Sequence, residues 1–121
     1  MIYKFTNLEL SPELRVPLWN LTMETWNPIT LASKTLQKNW PLLFEKFPQY
    51  QLILVNDNEE IIGYANTIPF HFNKKVNQLP DTGWDWMLEK GISDFDKKVA
   101  PNLLGGLIIG CLLYTSDAAD E

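Results

Sequence analysis

Gln51 to Thr67 reads QLILVNDNEEIIGYANT, and this stretch decides the fold. Residues 51–55 and 60–67 are rich in aliphatic, β-branched and aromatic side chains. Between them Asn56-Asp57-Asn58-Glu59 supplies the short polar side chains that close a turn on its own backbone. The pattern predicts an antiparallel hairpin that forms the second and third strands. Gly63, inside the second arm, marks an expected bulge or close backbone approach.

On the N-terminal side of the hairpin, Leu36, Trp40, Leu43, Phe44 and Phe47 recur at helical spacing, with Lys34, Lys38, Glu45 and Lys46 mostly off that face. They predict an amphipathic helix, kinked at Pro41 and closed at Phe47-Pro48. Before it, Leu14, Leu18 and Leu21 form one helical row and Trp19, Met23 and Trp26 a second beside it. Ser11-Pro12-Glu13 reads as a start signal, with the Ser11 hydroxyl expected to accept from the free amides of the first turn. Pro17 conflicts with a helix interior. The main helix is therefore expected to begin near Pro17 and to end at Asn27-Pro28. Ile2 to Leu10 has the partial alternation of a first strand.

On the C-terminal side, Trp84, Leu88, Ile92, Phe95 and Val99 predict a third helix, weakened by about 1 kcal/mol at Gly91. Leu103 to Gly110, LLGGLIIG, is then a fourth strand, an unbroken apolar run of the kind expected to be buried on both faces.

The whole chain has 121 residues, 45% of them apolar and five of them Trp, which is enough for one domain around a single core. No apolar run approaches the about 18 residues of a membrane span, and the N-terminus lacks a signal-peptide layout. A cytoplasmic location is expected. The net charge of −5 argues against nucleic-acid or anionic-membrane partners, which need clustered Lys and Arg. One Cys excludes an internal disulfide, and no multi-Cys metal site can form. No metal ligand set is predicted.

The last residues do not continue the pattern. Residues 111–121, CLLYTSDAADE, lose all apolar periodicity after Tyr114. Back-translated, they look like the transposase-end adapter used to build short-read sequencing libraries. The expectation is that residues 1–110 are an incomplete natural domain and residues 111–121 a non-native tail, so that Cys111 and the terminal acidity carry no biological meaning.

Several chemical signals compete. Asp81-Thr82-Gly83 matches the tripeptide of aspartic proteases, but its flanks are not strands, and a cap for the third helix explains Asp81 or Thr82 better. Asn20-Leu21-Thr22 fits a glycosylation sequon inside a predicted helix, where chance is the better reading. His71, the only His, could serve as a general base because imidazole titrates near neutral pH, or could simply pack between Phe70 and Phe72. Asp85 and Glu89 share one helical face beside Trp84 and Trp86, and read either as an acidic site against aromatic surface or as a solvated helix face. No zinc spacing, nucleophile elbow or dinucleotide glycine motif occurs.

The order strand, helix, helix, hairpin with Ile61-Ile62-Gly63-Tyr64-Ala65 in its second arm, then an apolar strand Gly106-Leu107-Ile108-Ile109-Gly110, resembles the N-terminal half of the GCN5-related N-acetyltransferase family. The resemblance covers residues 1–110. It implies an α+β fold with a mixed sheet, in the order strand-helix-helix-strand-strand-(helix)-strand and truncated after the fourth strand. The Trp84-Asp85-Trp86 segment looks like an insertion of one family branch. The resemblance further implies acetyl-CoA as co-substrate, its pantetheine arm held by the backbone of Ile108, Ile109 and Gly110, and a small-molecule amine as acceptor. The family's Gln/Arg-x-x-Gly-x-Gly/Ala pyrophosphate loop would follow the fourth strand and is absent from this chain. On this reading Trp26 and Trp84 are candidates for acceptor binding, and His71, Asp85 and Glu89 for proton transfer. The chain as written is expected to be inactive. A non-catalytic α+β binding or interaction module would use the same aromatic surface without a cofactor.

Overall fold

The computed structural model describes residues 3–26, 32–80 and 83–111. The expected helix stop at Asn27-Pro28, the cap at Asp81 or Thr82, the start of the first strand at Ile2 and the tail beyond Cys111 lie outside the described residues.

The fold is α+β. Strand β1 (Lys4–Asn7) is followed by helix α1 (Arg15–Thr25) and helix α2 (Lys34–Lys46). The hairpin β2 (Gln51–Val55) and β3 (Ile61–Phe70) comes next, then helix α3 (Gly83–Asp96) and strand β4 (Leu103–Cys111). The strands lie in the order β1-β2-β3-β4, and all three pairings are antiparallel. The element order is the one expected from the sequence.

The hairpin forms because Asn56 organises its turn. Its Oδ1 accepts from the amides of Asn58 at 2.9 Å and Glu60 at 3.0 Å, while its backbone carbonyl accepts from Glu59, which takes a left-handed φ of 61°. Leu54 pairs with Gly63 but Val55 pairs with Ile61, so Ile62 is the extra residue, and the bulge expected at Gly63 falls beside it.

Both expected helix starts needed adjustment. The Ser11 hydroxyl does not cap a helix; it lies 2.7 Å from the Thr6 hydroxyl, tying β1 to the short 3₁₀ turn at Pro12–Leu14. Helix α1 then begins at Arg15, not near Pro17. Pro17 is its third residue, where an amide would have had no intrahelical acceptor, so the conflict vanishes. In α2 Ser33 is the cap, its Oγ accepting from the Leu36 amide at 3.3 Å, and the helix runs without a break through Pro41. The sequon's Thr22 is buried, its hydroxyl donating to the Leu18 carbonyl at 2.8 Å.

Helix α3 is shorter than its apolar row predicts. It stops at Asp96 because Lys98 adopts a left-handed φ of 58°, its amide donating to the Phe95 carbonyl at 3.1 Å and that of Val99 to the Asp94 carbonyl at 2.8 Å. Val99 is thus exposed beyond the helix end. Gly91 is where α3 crosses β3: a Cβ there would lie 2.5 Å from the Ile68 side chain and 3.0 Å from the Pro69 carbonyl oxygen. The missing side chain lets helix and strand approach closely, so its cost in helix propensity is offset by packing.

The core lies between one face of the sheet and the helices. Leu18 of α1, Trp40 and Leu43 of α2, Leu88 of α3, and Ile53, Tyr64 and Ile68 of the sheet form one buried cluster. Trp19 and Phe44 join α1 to α2 with centroids 5.6 Å apart, and Phe47 and Phe95 join α2 to α3 at 5.2 Å. Under this cluster Gln51 donates to the carbonyls of Phe47 and Thr67, which fixes its amide and makes its Oε1 the acceptor for Asn66 Nδ2 at 3.1 Å.

No described residue outside the sheet covers most of the opposite face. Cross-strand register aligns Leu52, Ala65 and Ile109 in one row and Phe5, Leu54 and Gly63 in the next. Phe5 and Ile109 are 80% and 82% exposed, and these rows line an apolar groove of about 220 Å³. The expectation that β4 is buried on both faces is therefore corrected. As the last strand in the order it has only β3 beside it among the described residues, and these cover only its helical face. There Gly105 faces Met87, and Gly110 lies beneath the Tyr64 ring.

Candidate functional site

The site is built where the first turn of α3 meets β4. Asn66 pairs with Ile108 and Thr67 with Gly106, so Leu107 is left out of the register and forms a bulge in β4. The Leu107 carbonyl accepts from Trp84 Nε1 at 2.9 Å. That bond fixes the Trp84 indole against the strand.

Behind Trp84 stands an aromatic stack. Trp40 lies parallel to it, with centroids 5.7 Å apart and an interplanar angle of 8°. Trp26 packs edge-on to both, at 4.6 Å from Trp40 and 6.4 Å from Trp84. Trp26 and Trp40 are buried, and their indole N–H groups have no partner among the described residues. Such groups cost about 1–3 kcal/mol each.

In front of Trp84 is a cleft of about 470 Å³ lined by Ser33, Trp84, Asp85 and Ile108. Asp85 is exposed and makes no ion pair among the described residues. The outer edge of β4 has no strand beside it among the described residues. Its backbone donors and acceptors can therefore take an extended ligand.

The structure brings together Trp26, Trp84, Asp85 and Ile108. Ile109 projects to the opposite, open face, in a row with Ala65 and Leu52, and Gly110 continues the strand under Tyr64. Glu89 is exposed one turn beyond Asp85 and does not line the cleft. His71 is not in it either. Its backbone amide donates to Asp94 Oδ2 at 2.9 Å, and Asp94 is nine residues along α3 from Asp85, roughly 13 Å of helix rise. No hydrogen bond or ion pair joins His71 to Asp85 or Glu89 among the described residues.

Asp94 serves the fold. Burial alone would raise its carboxyl, but the Lys90 ammonium bound to it and the His71 amide outweigh that cost and hold it below the ordinary carboxylate range. A carboxyl lowered by folding stabilises above its unfolded value, about 3.9, and loses that contribution as pH falls through the lower folded value. Asp94→Asn is expected to cost about 1–2 kcal/mol at pH 7. Urea melts repeated down to pH 2 should show the gap to the parent closing below pH 4; a gap that stays constant would show that the charge plays no part.

Trp40, Leu107 and Ser33 were missed as members of the site by sequence reasoning. Trp40 stands on the apolar row of α2 and announces only a core position. Its partner Trp84 is distant in sequence, and no local pattern announces their stacking. The bulge at Leu107 is likewise a property of register, which the LLGGLIIG run does not encode by alternation.

The chain is 30% identical over 91 residues, 68% of its length, to the arginine N-acetyltransferase avaD of Aspergillus versicolor. The match covers 31% of that relative, so the chain spans about a third of its length. No family model matches the chain, and no solved structure matches it significantly.

Proposed function

We propose that this chain is the N-terminal part of an acetyl-CoA-dependent N-acetyltransferase of the GCN5-related type, acting on a small amine. The similarity to an N-acetyltransferase over 91 residues carries the reading, and the free edge and bulge of β4 support it. On this proposal residues 1–110 are an incomplete acetyltransferase domain and residues 111–121 a non-native tail.

In such a reaction the neutral amine nitrogen attacks the thioester carbonyl carbon. The new C–N bond forms, the C–S bond breaks, the ammonium proton passes to a base or to water, and the thiolate leaves and is protonated. Acetyl-CoA supplies the activated acetyl group. This chain contributes backbone: residues 108–110 offer edge donors and acceptors to an extended arm, and the bulge leaves Leu107 out of the register, where a local amide released from the ladder would polarise a carbonyl. Holding amine and thioester in one cleft supplies the rest through proximity. Of the ionisable candidates, Asp85 alone lines the cleft and belongs to the acceptor side.

The intact protein tests this. Incubated with acetyl-CoA and a panel of amines that includes L-arginine, the acceptor in the relative's name, it should release free CoA thiol only when an amine is present. An intact protein that neither binds acetyl-CoA nor releases thiol with any amine of the panel would overturn the reading.

A further inference from the structure

We propose that the cleft in front of Trp84 binds a planar, delocalised cation of the guanidinium class, held by Asp85 and by the indole of Trp84. This rests on the acetyltransferase reading only in making that cation the non-reacting end of the acceptor. The reacting nitrogen must be neutral to attack, whereas a guanidinium stays charged, so the cation held here is a second group on the same molecule. Asp85 thereby becomes a group that positions the acceptor.

Three observations carry this. Asp85 is an exposed carboxylate that lines the cleft and has no ion-pair partner among the described residues, so its charge faces a fork of donors placed there. Trp84 lines the same cleft, and its ring is held from behind by Trp40 at 5.7 Å and tied to Leu107 at 2.9 Å, which gives a cation a rigid aromatic surface to lie on. Ile108 supplies an apolar wall for the alkyl chain that links the cation to the amine.

The field opposes a simple charge argument. The N-termini of α2 and α3 border the cleft through Ser33 and Trp84, and each carries about half a positive charge. The single charge of Asp85 roughly balances them, so long-range attraction is weak. Selection comes from contact: a fork of donors meets the carboxylate while the flat face meets the indole. An ammonium offers no flat face, and an anion meets a carboxylate.

The test uses the 121-residue chain and two probes of nearly equal shape, butylguanidinium and the neutral butylurea, with butyrate as the anionic control. Binding is read from the Trp84 indole N–H resonance, assigned by its loss in Trp84→Phe. Butylguanidinium should shift that resonance saturably, and the two others should not. Asp85→Asn should weaken the guanidinium by about tenfold or more, and Asp85→Glu should restore part of it. Asp85 is exposed, so both variants should still unfold cooperatively, Asp85→Asn at a slightly lower midpoint because it loses the negative charge at the N-terminus of α3. Equal shifts from butylguanidinium and butylurea, a larger response to butyrate, or an unchanged affinity in Asp85→Asn would each overturn the proposal. Acetyl-CoA binding by the intact protein without guanidinium binding here would sink this inference and leave the acetyltransferase reading standing. The reverse result would sink only that reading.

Discussion

Gly91→Val is expected to remove a large part of the stability of this domain. A Cβ at position 91 would sit 2.5 Å from two carbons of Ile68 and 3.0 Å from the Pro69 carbonyl oxygen. The Ile68 side chain can turn aside, but the carbonyl belongs to β3, so helix and strand must separate. Overpacking of this kind costs about 1–3 kcal/mol for one methyl group, and the branched Val adds two more in the same gap. Against this, Ala at an exposed helical site gains about 1 kcal/mol over Gly. Gly91→Ala should therefore destabilise by up to about 2 kcal/mol and Gly91→Val by about 3 or more. Gly83 provides the control, because a Cβ there meets nothing within 4 Å, and Gly83→Ala should change little. Urea denaturation measures all three. If Gly91→Ala melts at or above the parent midpoint, the contact between α3 and β3 is looser than described. Pairing Gly91→Ala with Ile68→Val should recover part of the loss, since Val lacks the Cδ1 that makes one of the two closest contacts.

Trp40→Ala has the second large effect. Trp40 is fully buried and touches Trp26, Phe44 and Trp84 through its ring. Truncating a buried Trp to Ala costs about 3–5 kcal/mol, a large fraction of the 5–15 kcal/mol typical of a domain. The melting temperature should fall by roughly 10–20 °C. Trp40→Phe separates packing from hydrogen bonding. It keeps an aromatic ring against Trp84 and removes an indole N–H that is buried without a partner among the described residues, so it should cost less than half as much. Equal losses for Phe and Ala would mean that the indole N–H has a partner after all.

These two positions also show where sequence reading stops. The helical rows of Leu36 to Phe47 and Trp84 to Phe95, and the hairpin around Asn56, were legible because period and turn chemistry are local. Gly91 reads locally as a weak point in a helix; only the crossing of α3 over β3 shows it to be a packing requirement. Leu103 to Gly110 reads as a buried strand because apolar content does not distinguish a central strand from an edge strand with one open face. The acidic face of Asp85 and Glu89 was legible as a pair, yet the cleft takes Asp85 and leaves Glu89 outside. His71 stood out for its chemistry, but what the fold uses is its backbone amide. Trp40 and Leu107 gave no signal, since stacking on Trp84 and a register shift are long-range facts.

The open sheet face presents Phe5, Leu52 and Ile109, all exposed, with Leu54 half-buried among them. Open apolar surface beside an unpaired edge strand favours self-association. In the proposed intact protein the polypeptide after β4 would cover it. The chain spans about a third of its curated relative, so there is length enough in such a protein for further strands and helices.

The central claim is that β4 leads into an acetyl-CoA site. It is tested most directly by amplifying the gene from its source material and reading past codon 110. The adapter-like residues should be replaced by native sequence. Within about ten residues of Gly110 this should pass into a Gln/Arg-x-x-Gly-x-Gly/Ala turn, followed by a helix whose free N-terminal amides can hold a pyrophosphate. A stop codon at that point, or a continuation that reaches its next helix without a glycine-rich turn, would contradict it.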